Sequence, residues 1–322
     1  MPKGLYFQRR HPVLGYKIKF MYYFFKRRDI LQKKISLGNL NTNNIIYVVK
    51  PDYQDKVEGL LSLLYRQVLY IDYARSKGYL PFVDWKNFQT QYSDDLTNSW
   101  EYFFRQPTSI KEEEVYKSKN VYFSGWTWRN INVHNLFESD MFYNSSKRDE
   151  SHRILVKNLQ FNSEINDMVR IESEILKIEE CIGVYIRGTD YVKLRPSGEY
   201  IQPEISQVKE KITEFLLKYN SPIFLVTEDG SIYDELSNEF DNIKLVSYDS
   251  FIRNYEGSTV LSKSQVLDSD KKRRGQQYLV KMILLSKCKY LISSITQGSK
   301  FSYALNGGRY QDEYIFDLGL YK

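Results

Sequence analysis

The sequence predicts an α/β protein built from two Rossmann-like domains. Three observations carry that expectation. Apolar runs of strand length alternate with helical periodicity, and strand–helix–strand order implies parallel sheets. The second half repeats this alternation several times, as doubly wound domains do. The chain also has 322 residues, long for a single core.

Ile45 to Lys50 reads as a first strand, ended by Pro51-Asp52. From Asp55 to Lys77, apolar residues at Val57, Leu60, Leu61, Leu64, Val68, Ile71 and Ala74 define one helical face. Gly78 stops that helix, and Leu80 to Trp85 returns as a strand. Tyr92 to Phe104 is polar and aromatic, and Val121 to Ser124 is another short strand. Phe161 to Lys177 carries Ile165, Met168, Val169, Glu172, Ile175 and Leu176 on a helical repeat, with only Glu172 polar on that face. It reads as the bridge between the domains.

In the second half, strand 182–186 leads through Pro196, Gly198 and Pro203 to a helix from Glu204 to Tyr219. Strand Ile223–Thr227 precedes a helix near Ser231–Phe240, and strand Ile243–Val246 follows. Gln276–Ser286 is helical, Tyr290–Ser293 is a strand, and Ser299–Leu305 begins another helix. The expected division is a leader at 1–40, a first α/β domain at 41–160, a bridging helix at 161–180 and a second α/β domain at 181–322.

Composition is that of a globular protein. Cys181 and Cys288 stand beside apolar strands and read as core thiols in a reducing compartment. His11, His134 and His152 are scattered, and no metal-ligand spacing appears. No run is apolar enough to span a bilayer, and no secretory pattern opens the chain. Net charge is +6, yet residues 1–34 alone hold ten Lys or Arg against one acid, Asp29. Phe20-Met21-Tyr22-Tyr23-Phe24-Phe25 lies between Lys17 and Lys19 on one side and Lys26-Arg27-Arg28 on the other. Aromatics and cations so arranged fit an anionic membrane surface, or a helix packed on the body with a solvated basic face. A cytoplasmic, membrane-peripheral protein is expected, without nucleic acid as partner.

The chemistry concentrates at three strand ends. Ile182-Gly183-Val184-Tyr185-Ile186 is a buried strand that runs directly into Arg187-Gly188-Thr189-Asp190. An arginine at the carboxyl end of a parallel strand stands where such sheets bind ligands, and its planar fork suits a phosphate. Gly188 permits close approach of backbone and ligand. The alternative is a strand end closed by an Arg187–Asp190 salt bridge. The second end is Thr227-Glu228-Asp229-Gly230, whose carboxylates suit a ribose or base. The third is Ser293-Ser294-Ile295-Thr296-Gln297-Gly298-Ser299, which opens a helix and resembles a phosphate cradle. Ordinary turns and caps are the alternative for each.

These segments resemble the donor domain of the fucosyltransferase superfamily that includes α1,6-, α1,2- and protein O-fucosyltransferases. Its His-x-Arg-Arg-Thr-Asp-like motif is similar to Tyr185-Ile186-Arg187-Gly188-Thr189-Asp190. Its strand ending in Thr-Asp-Asp is similar to Phe224-Leu225-Val226-Thr227-Glu228-Asp229. Its helix, strand and Ser/Thr-rich turn resemble Met282 through Ser294. The likeness covers residues 180–305, and more loosely Leu69 to Trp85. It implies a GT-B-like fold, two Rossmann-like domains facing a cleft, and inverting transfer from GDP-fucose to a glycan or lipid-linked oligosaccharide. No cofactor or metal is expected.

By resemblance, Arg187 stabilises the leaving diphosphate. Tyr185, Arg187, Gly188, Thr227, Glu228, Asp229, Ser294, Thr296, Gln297, Gly298 and Ser299 form the expected nucleotide-sugar site. Tyr185 stands in place of the family's His, Gly188 in place of its second Arg, and Arg195 where some relatives carry a carboxylate. The general base is therefore sought among Asp190, Glu199 and Glu101. Trp100, Tyr102, Phe103, Phe104, Trp126 and Trp128 are either sugar-stacking aromatics or core, with Glu101, Trp126 and Trp128 as expected acceptor contacts. A transferase using a UDP- or dTDP-sugar on the same fold, or a noncatalytic glycan- or nucleotide-binding protein, is the alternative.

Overall fold

The computed structural model describes residues 34–52, 58–94, 96–124, 137–257, 259–261, 267 and 269–322, and nine strands among them divide into two sheets. The first contains β1 (Lys34–Ile35), β2 (Ile46–Val49), β3 (Leu80–Val83) and β4 (Val121–Phe123), in the order β1-β4-β2-β3. β2 runs parallel to both β3 and β4, and β1 is antiparallel to β4. β2 is buried on both faces. Tyr47 and Val49 face the main core, and Ile46 and Val48 pack with Phe82, Val115 and Val121 on the other side. Helix α1 (Leu60–Ser76) follows β2 and ends beside Gly78, whose φ of +70° only glycine adopts freely. A short helix, α2 (Glu112–Val115), precedes β4.

The second sheet holds β5 (Ile182–Tyr185), β6 (Ile223–Val226), β7 (Ile243–Lys244), β8 (Tyr290–Ser294) and β9 (Asp312–Phe316), in the order β7-β6-β5-β8-β9. Every neighbouring pair is parallel. Helices α3 (Ser145–Asn158) and α4 (Ser163–Leu176) lead into it. Helices α5 (Thr189–Leu194), α6 (Ile205–Tyr219), α7 (Gly230–Ser237), α8 (Lys271–Leu285) and α9 (Gln297–Asn306) then connect its strands. Alternation along β5 serves two layers. Ile182, Val184 and Ile186 pack with Val208, Ile212 and Phe215 of α6, while Tyr185 faces the core that includes α8. At Gly183 a Cβ would stand 2.6 Å from the Leu285 side chain and 3.0 Å from the Cys288 sulfur, so the missing side chain lets α8 lie close. Both cysteines are buried and unbridged, as expected.

One apolar cluster joins the two sheets. It runs from β2 and α1 through Trp85, Trp100, Phe103 and Phe104 to α3, α4, α8 and α9. Trp85 and Trp100 meet edge to face at 5.3 Å. α8 is seated on this aromatic group: Lys271 donates to the Ser93 carbonyl at 2.8 Å and Gln276 to that of Tyr102 at 3.0 Å.

Several expectations need correction. The first sheet begins inside the segment read as leader, because Lys34–Ile35 pairs with β4 and Leu37 N–H donates to the Ser118 carbonyl at 3.0 Å. Residues 1–33, with the basic aromatic block, lie outside the described residues. Trp100, Phe103 and Phe104 are core, not sugar platforms, since each is at most 1% exposed. The helix read as a bridge packs along α8, and its buried Glu172 accepts from Ser247 N–H at 3.0 Å and from the Ser247 hydroxyl. Helix α3 has no counterpart in the sequence reading; among its fourteen residues only Ser151, Ile154, Leu155 and Asn158 are buried.

Gly275 tests the seat of α8. A Cβ there would stand 2.6 Å from the Phe103 ring and 3.0 Å from that of Tyr92. Helix propensity favours Gly275→Ala by about 1 kcal/mol, whereas overpacking a rigid ring costs about 1–3 kcal/mol. Denaturant unfolding should therefore show net destabilisation. A gain in stability would mean that α8 does not depend on this close contact.

Candidate active site

The order of the second sheet fixes where a ligand would sit. From β5 the chain moves outward through β6 and β7, then returns to place β8 on the other side of β5. Outside the carboxyl ends of β5 and β8, connections diverge to opposite sides, which makes this the topological switch point of the sheet. The segment after β5 carries Arg187, and the segment after β8 opens helix α9.

Arg187 is clamped. Its Nε donates to Glu228 Oε1 at 3.0 Å, one Nη donates to Asp190 Oδ1 at 2.9 Å, and its guanidinium lies over the Tyr191 ring at 4.5 Å. Burial opposes its charge, but the Glu228 carboxylate and the other neighbours outweigh burial and hold the pKa well above the ordinary arginine value. Two of five N–H donors are thereby engaged, and the remaining three are directed by a fixed fork.

The loop behind Arg187 is held by the same acids. Glu228 Oε1 also accepts from Gly188 N–H at 3.0 Å and from the Thr189 hydroxyl at 2.8 Å. Asp229 accepts from Thr189 N–H at 2.9 Å and caps α7 by accepting from Ser231 N–H at 2.9 Å. These bonds hold Thr189 at φ +41°, a conformation that costs a β-branched residue about 1–3 kcal/mol. Asp190 Oδ2 accepts from Leu261 N–H at 2.9 Å, tying the loop after β7 to the same centre.

This arrangement corrects several assignments. Glu228 and Asp229 build the arginine loop, a role the sequence reading did not give them: Glu228 Oε1 accepts three bonds there and Asp229 holds Thr189 N–H. Gly188 is required by Asp229, whose Cβ and carboxylate would lie 2.4 Å from an added Cβ, and not by the approach of a ligand. Thr227 is buried, and its hydroxyl accepts from Asp229 N–H at 3.2 Å. Tyr185 is 1% exposed and packs between α8 and α9, in the core and not at the sheet edge. Gly298 is explained by that packing, since its added Cβ would lie 2.7 Å from the Tyr185 ring and 2.9 Å from the Met282 sulfur.

At the end of β8, Thr296 and Ser299 cap one another. Thr296 Oγ1 accepts from Ser299 N–H at 3.1 Å, and Ser299 Oγ accepts from Thr296 N–H at 2.8 Å. Ser294 donates to Gln202 Oε1 at 2.6 Å. The expected phosphate-binding hydroxyls of Ser294, Thr296 and Ser299 are therefore committed within the protein. What the turn still presents is backbone: the N–H groups of Gln297 and Gly298 have no acceptor among the described residues.

Glu199 stands apart from the other acids. Its backbone is paired with the C-terminal segment, where Tyr321 N–H donates to the Glu199 carbonyl at 2.9 Å and Ile201 N–H to that of Gly319 at 3.0 Å. Tyr191 donates to its carboxylate at 3.3 Å. The residue is exposed, yet burial of the carboxyl raises its pKa above the ordinary range, against the pull of Tyr191, Lys300 and Arg187. Glu101 is not part of this group; it accepts from Gln106 at 3.0 Å in the first half of the chain. Trp126 and Trp128 lie outside the described residues. Sequence reading missed Tyr191, Lys300 and Gln202. The one available signal was Lys300 in the first turn of a helix that follows a buried strand. No group of metal-binding side chains occurs among the described residues.

If Glu228 builds the arginine loop, Glu228→Gln should destabilise the ligand-free protein. The bonds at stake join charged partners, and such bonds contribute about 1.5–3 kcal/mol each way of counting. Urea unfolding of the variant checks this, and a midpoint equal to wild type would refute the clamp.

No family model matches the chain, and no curated protein matches it. Solved structures do. The chain is similar to NodZ alpha-1,6-fucosyltransferase soaked with GDP-fucose, at 16% identity and TM-score 0.49, over 81% of this chain and 92% of that one. Fucosyltransferase NodZ from Bradyrhizobium matches at 16% identity and TM-score 0.48, again over 81% and 92%. POFUT1 in complex with GDP-fucose matches at 9% identity and TM-score 0.49, over 87% of this chain and 99% of that one.

Proposed function

We propose that the chain is a GT-B-like glycosyltransferase that moves a sugar, fucose on the motif resemblance, from GDP-fucose to a hydroxyl of a glycan or lipid-linked acceptor. The observation that carries this reading is Arg187, clamped at the switch point of a parallel sheet with three N–H donors still to offer. As the sugar leaves, negative charge grows on the diphosphate. A cation whose position is fixed beforehand stabilises that charge without reorganising at the moment of reaction. The two carboxylates that hold Arg187 give it this fixed position.

The role of base falls to Glu199. Asp190 is engaged by Arg187 through one carboxylate oxygen and by Leu261 N–H through the other, which makes it a structural partner of the arginine loop. Glu199 has one weaker bond, is exposed, and lies near Arg187. A carboxyl with a raised pKa is the better proton acceptor for a hydroxyl that attacks as the donor bond breaks. Inversion follows from such a single displacement. The basic aromatic composition of residues 1–34 supports work at the inner face of a membrane, on a polysaccharide or lipid-linked acceptor.

A melting-temperature screen with GDP, UDP, dTDP and CDP tests the donor, because a ligand of the native state raises stability. Stabilisation by GDP is expected; preference for UDP or dTDP would favour the alternative donor. Arg187→Lys keeps charge but loses the fork, and should lower turnover by about 10²–10³. Near-wild-type turnover in the folded variant would remove Arg187 from the mechanism.

The pH profile addresses Glu199. Its base form is the anion, and the raised pKa places the acid limb of turnover above the usual glutamate value of about 4.3. Glu199→Gln should abolish that limb and lower turnover by about 10²–10⁴, with GDP affinity retained. An unchanged limb in the variant would assign the proton to another group.

A further inference from the structure

Glu199 stands on a segment with little structure of its own. Residues 195–204, between α5 and α6, form no helix or strand, and Arg195 and Gly198 are left-handed at φ +44° and +89°. Their one local backbone bond runs from Glu199 N–H to the Pro196 carbonyl, at 3.0 Å. A general base acts only within hydrogen-bond reach of the proton it takes. Support from outside the segment is therefore needed.

That support comes from the residues after β9. β9 is the edge strand beside β8, and its last residue, Phe316, is level with Ser294 at the carboxyl edge of the sheet. The chain then turns at Gly319, φ +81°, and lies against the Glu199 segment, where Tyr200 and Leu320 pair antiparallel. Tyr321 brackets Glu199. Its N–H donates to the Glu199 carbonyl and its carbonyl accepts from Gly198 N–H, both at 2.9 Å. Ile201 N–H donates to the Gly319 carbonyl at 3.0 Å, and the Tyr321 hydroxyl accepts from Gln202 N–H at 3.4 Å.

Side chains anchor the neighbours of Glu199. Tyr200 donates to the Ser139 hydroxyl at 2.6 Å, and Gln202 accepts from Ser294 at 2.6 Å. The returning segment is tied to the same part of the first half, since Tyr143 donates to Asp317 at 3.3 Å. The Glu199 carboxylate itself accepts the 3.3 Å bond from Tyr191, with Lys300, Arg187 and Asp190 acting on it by charge. Where that carboxylate points thus depends on where its backbone is held. No bond of the Arg187 clamp involves residues 317–322, so anion binding and placement of the base are separable.

We propose that Tyr321, with Gly319, is a positioning residue for Glu199, and that residues 317–321 form a strap that sets where the carboxylate stands beside Arg187. The inference rests on the reading of Glu199 as base and adds to it the element that holds the base.

The test compares wild type with a variant lacking residues 319–322, with Tyr321→Pro and with Tyr321→Phe. Turnover is read as GDP release from GDP-fucose with water as acceptor, and GDP affinity by calorimetric titration. Proline removes the N–H that donates to Glu199, whereas phenylalanine keeps both backbone bonds. The deletion and Tyr321→Pro should each lower kcat by about 10², the scale for a misplaced catalytic group, with GDP affinity unchanged. Both should move the acid limb of turnover to lower pH, because a carboxyl released to water loses the burial that raises its pKa. Tyr321→Phe should recover most of the turnover. Glu199→Gln should cost far less in the deletion variant than in the full chain, since both changes act through one group. Wild-type turnover in folded Tyr321→Pro, an unmoved acid limb, or full multiplication of the deletion and Glu199→Gln losses overturns the proposal. Should the deletion variant fail to melt cooperatively, the two Tyr321 variants decide. If Glu199→Gln alters turnover and Tyr321→Pro does not, this inference fails and the base stands. If Glu199→Gln leaves turnover and its acid limb unchanged, the base reading itself fails.

Discussion

The clamp on Arg187 by Glu228 and Asp190 is the interaction around which the second half of the chain is organised. It joins the loops that follow β5 and β6, and through Leu261 it draws in the loop after β7. Asp229 adds the cap of α7 and the bond that keeps Thr189 left-handed. Three carboxylates thus stabilise one cation and one strained turn. Paired acids near a protein surface contribute little when they are isolated. Here the partners are largely shielded and share donors, so removing one disturbs the rest.

That organisation has a chemical consequence. A guanidinium that is already oriented loses little freedom when an anion arrives, and its unused donors point where its bonded carboxylates do not. Across β5 and β8, the first turn of α9 presents the backbone N–H groups of Gln297 and Gly298. Between them lies Glu199, held by the C-terminal segment and by Tyr191. These groups are therefore distributed over four connections, each anchored to one sheet edge. The first half contributes by packing: α8 rests on Tyr92 and Phe103, which fixes the layer beneath β5.

Much of this architecture was legible in the sequence. Ile182–Tyr185, Ile223–Val226 and Tyr290–Ser294 read as buried strands because all are apolar or small and bounded by turn residues. Arg187 was legible because an arginine directly after such a strand has few structural reasons to be there. What escaped was pairing across loops. The sequence shows Gly188 and Asp229 but not that one excludes a side chain from the other. It shows Thr296 and Ser299 as hydroxyls but not that they satisfy each other. Tyr185 and Trp100 read equally well as site or core, since aromatic side chains serve both, and burial decided for core. α3 was illegible for the opposite reason: its polar surface hides the two apolar residues that dock it.

The most direct test of the account is a structure of the protein with GDP bound. The account predicts the diphosphate outside the carboxyl ends of β5 and β8, with a phosphate oxygen within hydrogen-bond distance of a free Arg187 Nη and the Glu228 clamp intact. GDP bound elsewhere on the chain, or bound at this edge with Arg187 turned away, would contradict it.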